Sequence, residues 1–174
     1  PYPPFTTSTM QQAAANRLGM SAKKTMMLSQ NLYERGLITY MRTDSFNLSP
    51  QAIGQVRAYI ENFIGKTYLP KTARIYKSKS KNVQEAHEAI RVTDVRRQNS
   101  EIRQIAGMNR DHARLYDLIW KRFVACQMNE AVMDQTTVDV QAHLRGETKV
   151  TPSAHLGGGV YLLRATGSVI KFEG

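Results

Sequence analysis

Apolar positions recur at helical spacing through the first third of the chain, break at glycines, and give way near residue 130 to strict alternation. Met10, Ala13, Ala14 and Leu18 share one side of a 3.6-residue repeat that ends at Gly19, and Thr9 with Gln12 three residues on has capping-box spacing. These predict a helix over 9–18. Ser21 can cap a second helix whose stripe is Thr25, Leu28 and Leu32, with Met26 and Tyr33 beside it, and Gly36 sits where a glycine stops a helix. Residues 37–41 then form an extended segment or turn. Ser49 before Pro50 marks a third start, with Ile53, Val56, Ile60, Phe63 and Ile64 as its apolar face.

Residues 65–83 turn polar, with Lys77, Lys79 and Lys81 around Ser78 and Ser80, and predict a mobile loop that is either simply solvated or in contact with DNA. A long helix follows over 111–128. Leu115, Leu118, Ile119 and Phe123 give it a buried face, and Trp120 anchors it in the core. Beyond Glu130 the period becomes two: Thr136, Val138, Val140, Ala142 and Leu144 alternate with polar neighbours, as in a half-buried strand. Gly157, Gly158 and Gly159 mark a turn. Residues 160–165 and 168–172 read as two more strands around Thr166 and Gly167. The expected fold class is α+β: an extended lead-in over 1–5 imposed by three prolines, a helical domain over 6–130, and antiparallel strands over 131–174 that belong to an adjoining domain and are poorly covered.

With 174 residues and a 41% hydrophobic fraction the chain can bury a sizeable core. Its 24 Lys and Arg against 14 Asp and Glu leave +10, with a pI near 9.9, which favours a polyanionic partner. The single cysteine, Cys126, excludes an internal disulfide and a cysteine-based zinc cluster, and packs as a small apolar residue. No run of about 18 apolar residues argues for a membrane, and no charged start leads into an export signal; the expected location is cytoplasmic. A start at Pro1 rather than Met reads as a piece of a longer polypeptide.

Candidate chemistry concentrates in residues 36–45, Gly-Leu-Ile-Thr-Tyr-Met-Arg-Thr-Asp-Ser. Tyr40 stands two residues from Arg42. A phenol with a pKa of about 10 is a poor nucleophile but a good leaving group, so a phosphotyrosine ester can form and reverse at little cost. Such a site needs a fixed cation, and a guanidinium offers several N–H donors to phosphoryl oxygens. By residue type alone, a Tyr and an Arg two apart on a strand are usually just a packed ring and a solvated charge.

The whole string resembles the active-site tyrosine motif of bacterial type IA DNA topoisomerases. Residues 3–15, Pro-Pro-Phe-Thr-Thr-Ser-Thr-Met-Gln-Gln-Ala-Ala-Ala, resemble that family's approach to its tyrosine-bearing domain; residues 84–91, Gln-Glu-Ala-His-Glu-Ala-Ile-Arg, resemble its second signature; and residues 115–128 match the helix that follows. The resemblance implies an isomerase acting on DNA: transient single-strand cleavage through a 5′-phosphotyrosine link at Tyr40, then religation without ATP, relaxing negatively supercoiled DNA. It implies that Arg42 is catalytic and DNA-binding, that Thr43 and His87 bind DNA, and that Asp44 supports Arg42 or the local backbone; Arg91 reads as structural. It also implies two partners, a single-stranded DNA segment and an acidic domain of the same enzyme that binds Mg2+ through a glutamate and an Asp-x-Asp pair. No Asp-x-Asp occurs in this sequence, so the expectation is that this piece holds no metal of its own and is inactive alone.

Two other readings compete. Tyrosine recombinases and type IB topoisomerases also combine Arg, His and Tyr, but place the tyrosine after the histidine, whereas Tyr40 precedes His87 here. A non-catalytic helical DNA-binding module, with the first two helices joined through Gly19, is the alternative from a different class.

Overall fold

A computed structural model describes residues 1–76, 87–143 and 160–174. The expected lysine cluster at 77–81 and the glycine turn at 157–159 lie outside the described residues. The fold is α+β and divides into two units, Pro1–Asn129 and Glu130–Gly174.

The first unit is built from helices α1 (Thr7–Leu18), α2 (Ala22–Glu34), α3 (Pro50–Tyr59), α4 (Asn99–Ile102) and α5 (Arg110–Ala125). α1 starts earlier than its apolar spacing implied. Thr6 is the N-cap and closes a reciprocal box with Thr9, so the Thr9–Gln12 box is not formed; the burial of Phe5 places the chain so that the Thr6 hydroxyl reaches the free N–H groups first. α1 ends at Gly19, whose left-handed φ of 67° lets its N–H bond back to Ala14 and Ala15. Ser21 and Ser49 cap α2 and α3 as expected.

The expected apolar face of α3 fails at one residue. Val56 and Ile60 are buried, but Phe63 is 67% exposed. The helix runs into a π turn, Ile60–Ile64, closed by the Gly65 N–H donating to the Ile60 carbonyl at 2.8 Å. That wider turn breaks the 3.6-residue phase and rotates Phe63 off the buried face.

α5 lies in the core, burying Leu115, Tyr116, Leu118, Ile119, Phe123 and Val124 against α1, α2 and the segments between them. Trp120 is partly buried and its Nε1–H donates to the Val95 carbonyl at 2.7 Å. Cys126 is fully buried, and burial pushes its thiol up to about 12, so it behaves as a packing residue. The polar stretch after Gly65 is not loose over its described part. Arg57 donates to the Pro70 carbonyl at 2.8 Å, Gln127 bonds both backbone groups of Arg74, and Tyr76 donates to the Cys126 carbonyl at 2.9 Å. A polar sequence signals solvent only where its groups lack such partners, and here the side chains come from α3 and from the residues just after α5.

The second unit is an antiparallel ribbon of β1 (Val132–His143) and β2 (Val160–Phe172). The two expected short strands are one. Gly167 pairs with Thr136 without a left-handed φ, so Thr166-Gly167 continues the strand instead of turning it. Val138, Val140, Leu163 and Tyr161 project from the same side of this ribbon and remain half or more exposed, so β1 is not half-buried within its unit. A two-stranded ribbon has no second layer to cover either face. Bidentate Arg164–Asp139 bonds of 2.7 and 2.9 Å link the strands.

Candidate active site

Position of the 36–45 segment follows from how α2 ends. Gly36, at φ 68°, donates its N–H to the Tyr33 carbonyl at 2.8 Å, and Leu37 donates to Leu32 at 2.9 Å. This left-handed stop ejects the chain as an extended strap whose side chains then alternate. Met41, Thr43 and Ser45 are buried, while Tyr40, Arg42 and Asp44 are exposed. The candidate nucleophile and the candidate cation therefore leave the same side of the strap.

Both flanks of Tyr40 are clamped. On one side Ile38 bridges Val92, the Thr39 N–H donates to the Arg91 carbonyl at 2.9 Å, and the Thr39 hydroxyl donates to the Ala89 carbonyl at 2.7 Å while accepting the Arg91 N–H at 3.0 Å. On the other, Thr7 at the start of α1 donates through its hydroxyl to the Met41 carbonyl at 2.8 Å and accepts the Thr43 N–H at 2.9 Å; its own N–H donates to the Thr43 carbonyl at 2.9 Å. An exposed segment held at four backbone groups has little freedom to lose when it meets a substrate.

Tyr40 is 45% exposed, its ring meeting Tyr33 of α2 edge-on with centroids 5.2 Å apart and 65° between planes. Its hydroxyl makes no hydrogen bond among the described residues, so nothing occupies the atom that would attack. Arg42 is also exposed, and the expected Arg42–Asp44 pair is not made among the described residues. Thr43 is set apart from the other candidates: it is 7% exposed, and its hydroxyl accepts the Ser45 N–H at 3.0 Å, so the side chain shapes the turn. His87 is exposed and lies two residues before Ala89, the partner of Thr39, which brings its segment beside the strap.

Arg91 and Glu88 explain the rigidity of that neighbouring segment. Arg91 pairs with Glu88 through Nε at 2.8 Å and Nη2 at 3.0 Å, donates to the Val92 carbonyl at 3.1 Å and lies 5.8 Å from the Phe123 ring; Glu88 also accepts the Ser49 N–H at 2.9 Å. Burial pushes the Glu88 carboxyl up, but the bonds from Arg91 and Ser49 outweigh it and hold it below the usual range. A depressed carboxyl contributes stability above its unfolded pKa and loses it as pH falls through the folded one. Glu88→Gln is thus expected to destabilise by about 1.5–3 kcal/mol at pH 7. The gap from the native chain should close in acid, below the folded pKa; urea unfolding at both pH values checks it, and a gap unchanged in acid would remove this account.

Several contributors carried little signal in the sequence. Thr7 is 36 residues from Thr43, and no local spacing links them. Thr39 stands beside the tyrosine, but its type suits a phosphate donor as well as a backbone clamp. Tyr33 reads as a helix-surface aromatic until the strap folds back over α2.

The chain is similar to known proteins over its whole length. The family model for DNA topoisomerase matches residues 1–174. DNA topoisomerase 1 of Pseudomonas aeruginosa is 53% identical over the whole chain, and that of Escherichia coli 48%, each match covering 18% of the relative's length. The solved full-length topoisomerase I of Thermotoga maritima superposes with a TM-score of 0.66 at 30% identity, covering 97% of this chain and 32% of that one. The chain thus spans about a fifth of the curated relatives it matches, and it belongs to the bacterial DNA topoisomerase family.

Proposed function

We propose that this chain is the tyrosine-bearing part of a type IA enzyme that relaxes negatively supercoiled DNA by cutting and resealing one strand. The observation that carries the reading is the doubly clamped strap presenting Tyr40 and Arg42 on one side, with the tyrosine hydroxyl unengaged among the described residues. Tyr40 attacks a backbone phosphorus of single-stranded DNA: the Oη–P bond forms as the phenol gives up its proton to solvent, the P–O3′ bond breaks, and the 3′-oxygen takes a proton. The 5′-phosphate is kept as a tyrosine ester. Because the ester stores the bond energy, attack by the same 3′-hydroxyl reverses the step without ATP. Arg42 holds the scissile phosphate and offsets the charge that grows on its oxygens. His87 adds a donor to a neighbouring phosphate. Thr43, buried as it is, contributes by holding the strap, and Asp44 shares the exposed side without pairing to Arg42.

Magnesium belongs, in this reading, to an acidic domain of the same enzyme. Among the described residues no group of three or more His, Cys, Asp or Glu could hold a metal ion, and no helix is long and apolar enough to cross a membrane. The location is the nucleoid, with the DNA.

The test is reconstitution. Incubated with supercoiled DNA and magnesium, this chain alone is expected neither to relax it nor to yield a tyrosine-linked adduct, whereas the chain within its intact enzyme does both. The acid that protonates the leaving 3′-oxygen is supplied from elsewhere in this scheme. Relaxation by the chain alone would refute the sharing of catalysis between domains.

A further inference from the structure

Where α3 faces residues 93–96 the helical unit carries a groove of about 630 Å3, within the size range of small-ligand sites. Gly54 and Ala58 on α3 keep it open; a side chain added at Gly54 would meet nothing within 4 Å. One wall is the pair Tyr59 and Phe63, stacked with centroids 5.0 Å apart and 24° between planes. Tyr59 in turn meets Trp120 edge-on at 5.7 Å, which roots the pair in the core. The outer ring is the one the π turn swings into solvent, at 67% exposure. π turns are costly and recur at functional sites. Here the turn sets a flat apolar ring at the mouth of a groove instead of burying it.

The other groups around the groove are of a matching kind. Gln55 and Asn62 offer side-chain amides and Arg96 an exposed guanidinium, while Asp94 offers a carboxylate that also accepts the Arg96 N–H at 2.9 Å. An aromatic face takes a base by stacking, amides and a carboxylate read base edges, and a guanidinium takes a phosphate. A net charge of +10 draws a polyanion to the chain. In a duplex the base faces are covered by their neighbours, so the occupant that fits an open platform is a single strand. Thr93, on the rim, donates its N–H to the Leu37 carbonyl at 3.1 Å. Leu37 is three residues before Tyr40 on the strap, a span of roughly 10 Å.

From these observations we infer that the Phe63 groove is a second binding site for single-stranded DNA, in which a base stacks on Phe63 and its phosphate meets Arg96. The inference rests on the reading of this chain as one that handles single-stranded DNA. It adds an anchor on the same unit as the strap, which would hold the strand after the covalent bond is made.

Fluorescence anisotropy of a labelled short oligothymidylate against this chain tests it. Phe63→Ala is expected to weaken binding about 10-fold, and Phe63→Tyr to restore it, because either aromatic ring offers a stacking face. Arg96→Ala should reduce the salt slope by about one. Phe63→Ala should lower the melting temperature only slightly, by the loss of its stack on Tyr59, and Arg96→Ala should leave it unchanged, so neither binding loss reflects unfolding. The inference is overturned if the native chain does not bind the oligonucleotide, if Phe63→Ala binds as tightly as native, or if a duplex of equal length competes as well as the single strand. Adduct formation in the intact enzyme reads the nucleophile separately. Loss of Phe63-dependent affinity with a normal adduct sinks only the groove, whereas Phe63-dependent affinity without any adduct sinks only the role of Tyr40.

Discussion

Tyr40→Phe in the intact enzyme is expected to abolish the covalent DNA adduct and supercoil relaxation while leaving the fold and single-strand affinity near native. The expected loss is roughly 10⁴–10⁶-fold, the scale seen when a covalent nucleophile is deleted. The substitution removes one oxygen. That oxygen makes no hydrogen bond among the described residues, and the remaining ring keeps its edge-on contact with Tyr33 at 5.2 Å. Neither the Thr39 clamp nor the Thr7 clamp involves the phenol. Stability and activity are therefore separable at this position. Relaxation of supercoiled plasmid, denaturing-gel detection of the adduct and a melting curve together make the check. A Phe variant that still forms an adduct would assign the nucleophile elsewhere, and one that unfolds would show that the hydroxyl has a structural role the hydrogen bonds do not reveal.

The strap was readable because its determinants are local. Gly36 follows a helical stripe at the position where a left-handed residue stops a helix, and in an extended segment residues two apart, such as Tyr40 and Arg42, share a side; the alternation begins only after Leu37 and Ile38, which are both buried. What holds the strap in place was not readable. Thr7, Ala89 and Arg91 are brought to it by tertiary folding from 32 residues before Thr39 and about 50 after, and threonine carries the same information whether its hydroxyl faces phosphate or a carbonyl. The same ambiguity holds for Thr43, expected to bind DNA, whose hydroxyl accepts the Ser45 N–H in the fold.

Elsewhere, the departures share a cause, a local pattern overridden by something the pattern does not encode. Phe63 fits the apolar phase of α3, but that phase holds only while the helix keeps 3.6 residues per turn, and the π turn at Ile60–Ile64 ends it. Thr166-Gly167 looks like a turn, but twelve paired positions along β1 reward continuity more than one glycine costs. The stretch after Gly65 looks free, yet Gln127 and Arg57 reach it from other elements. Arg91, read as structural, pairs with Glu88 three residues before it, an ion pair that needs no long-range contact to form.

Arg42→Ala should be the most damaging change at the strap after loss of the tyrosine. Removing one preorganised donor to a developing oxyanion typically costs about 2.7–4 kcal/mol, or 10²–10³ in rate. The effect should fall on the cleavage step in single-turnover assays of the intact enzyme. Arg42 is exposed and joins no ion pair among the described residues, so its removal should leave the melting temperature unchanged. Arg42→Lys keeps the charge but loses the planar fork, and should recover only part of the rate. Salt dependence separates two roles. If Arg42 contacts phosphate only in the ground state, Ala substitution lowers affinity and the salt slope by about one while the rate at saturating DNA stays native. If it acts on the transition state, the saturated rate falls with affinity nearly unchanged. The clamps fix the Arg42 backbone two residues from the nucleophile, while its exposed guanidinium is left free to be aligned by the phosphate, so the rate at saturating DNA decides between the two outcomes. A native rate at saturating DNA in the Ala variant would reduce Arg42 to a binding residue and leave the transition-state charge to be met from outside this chain.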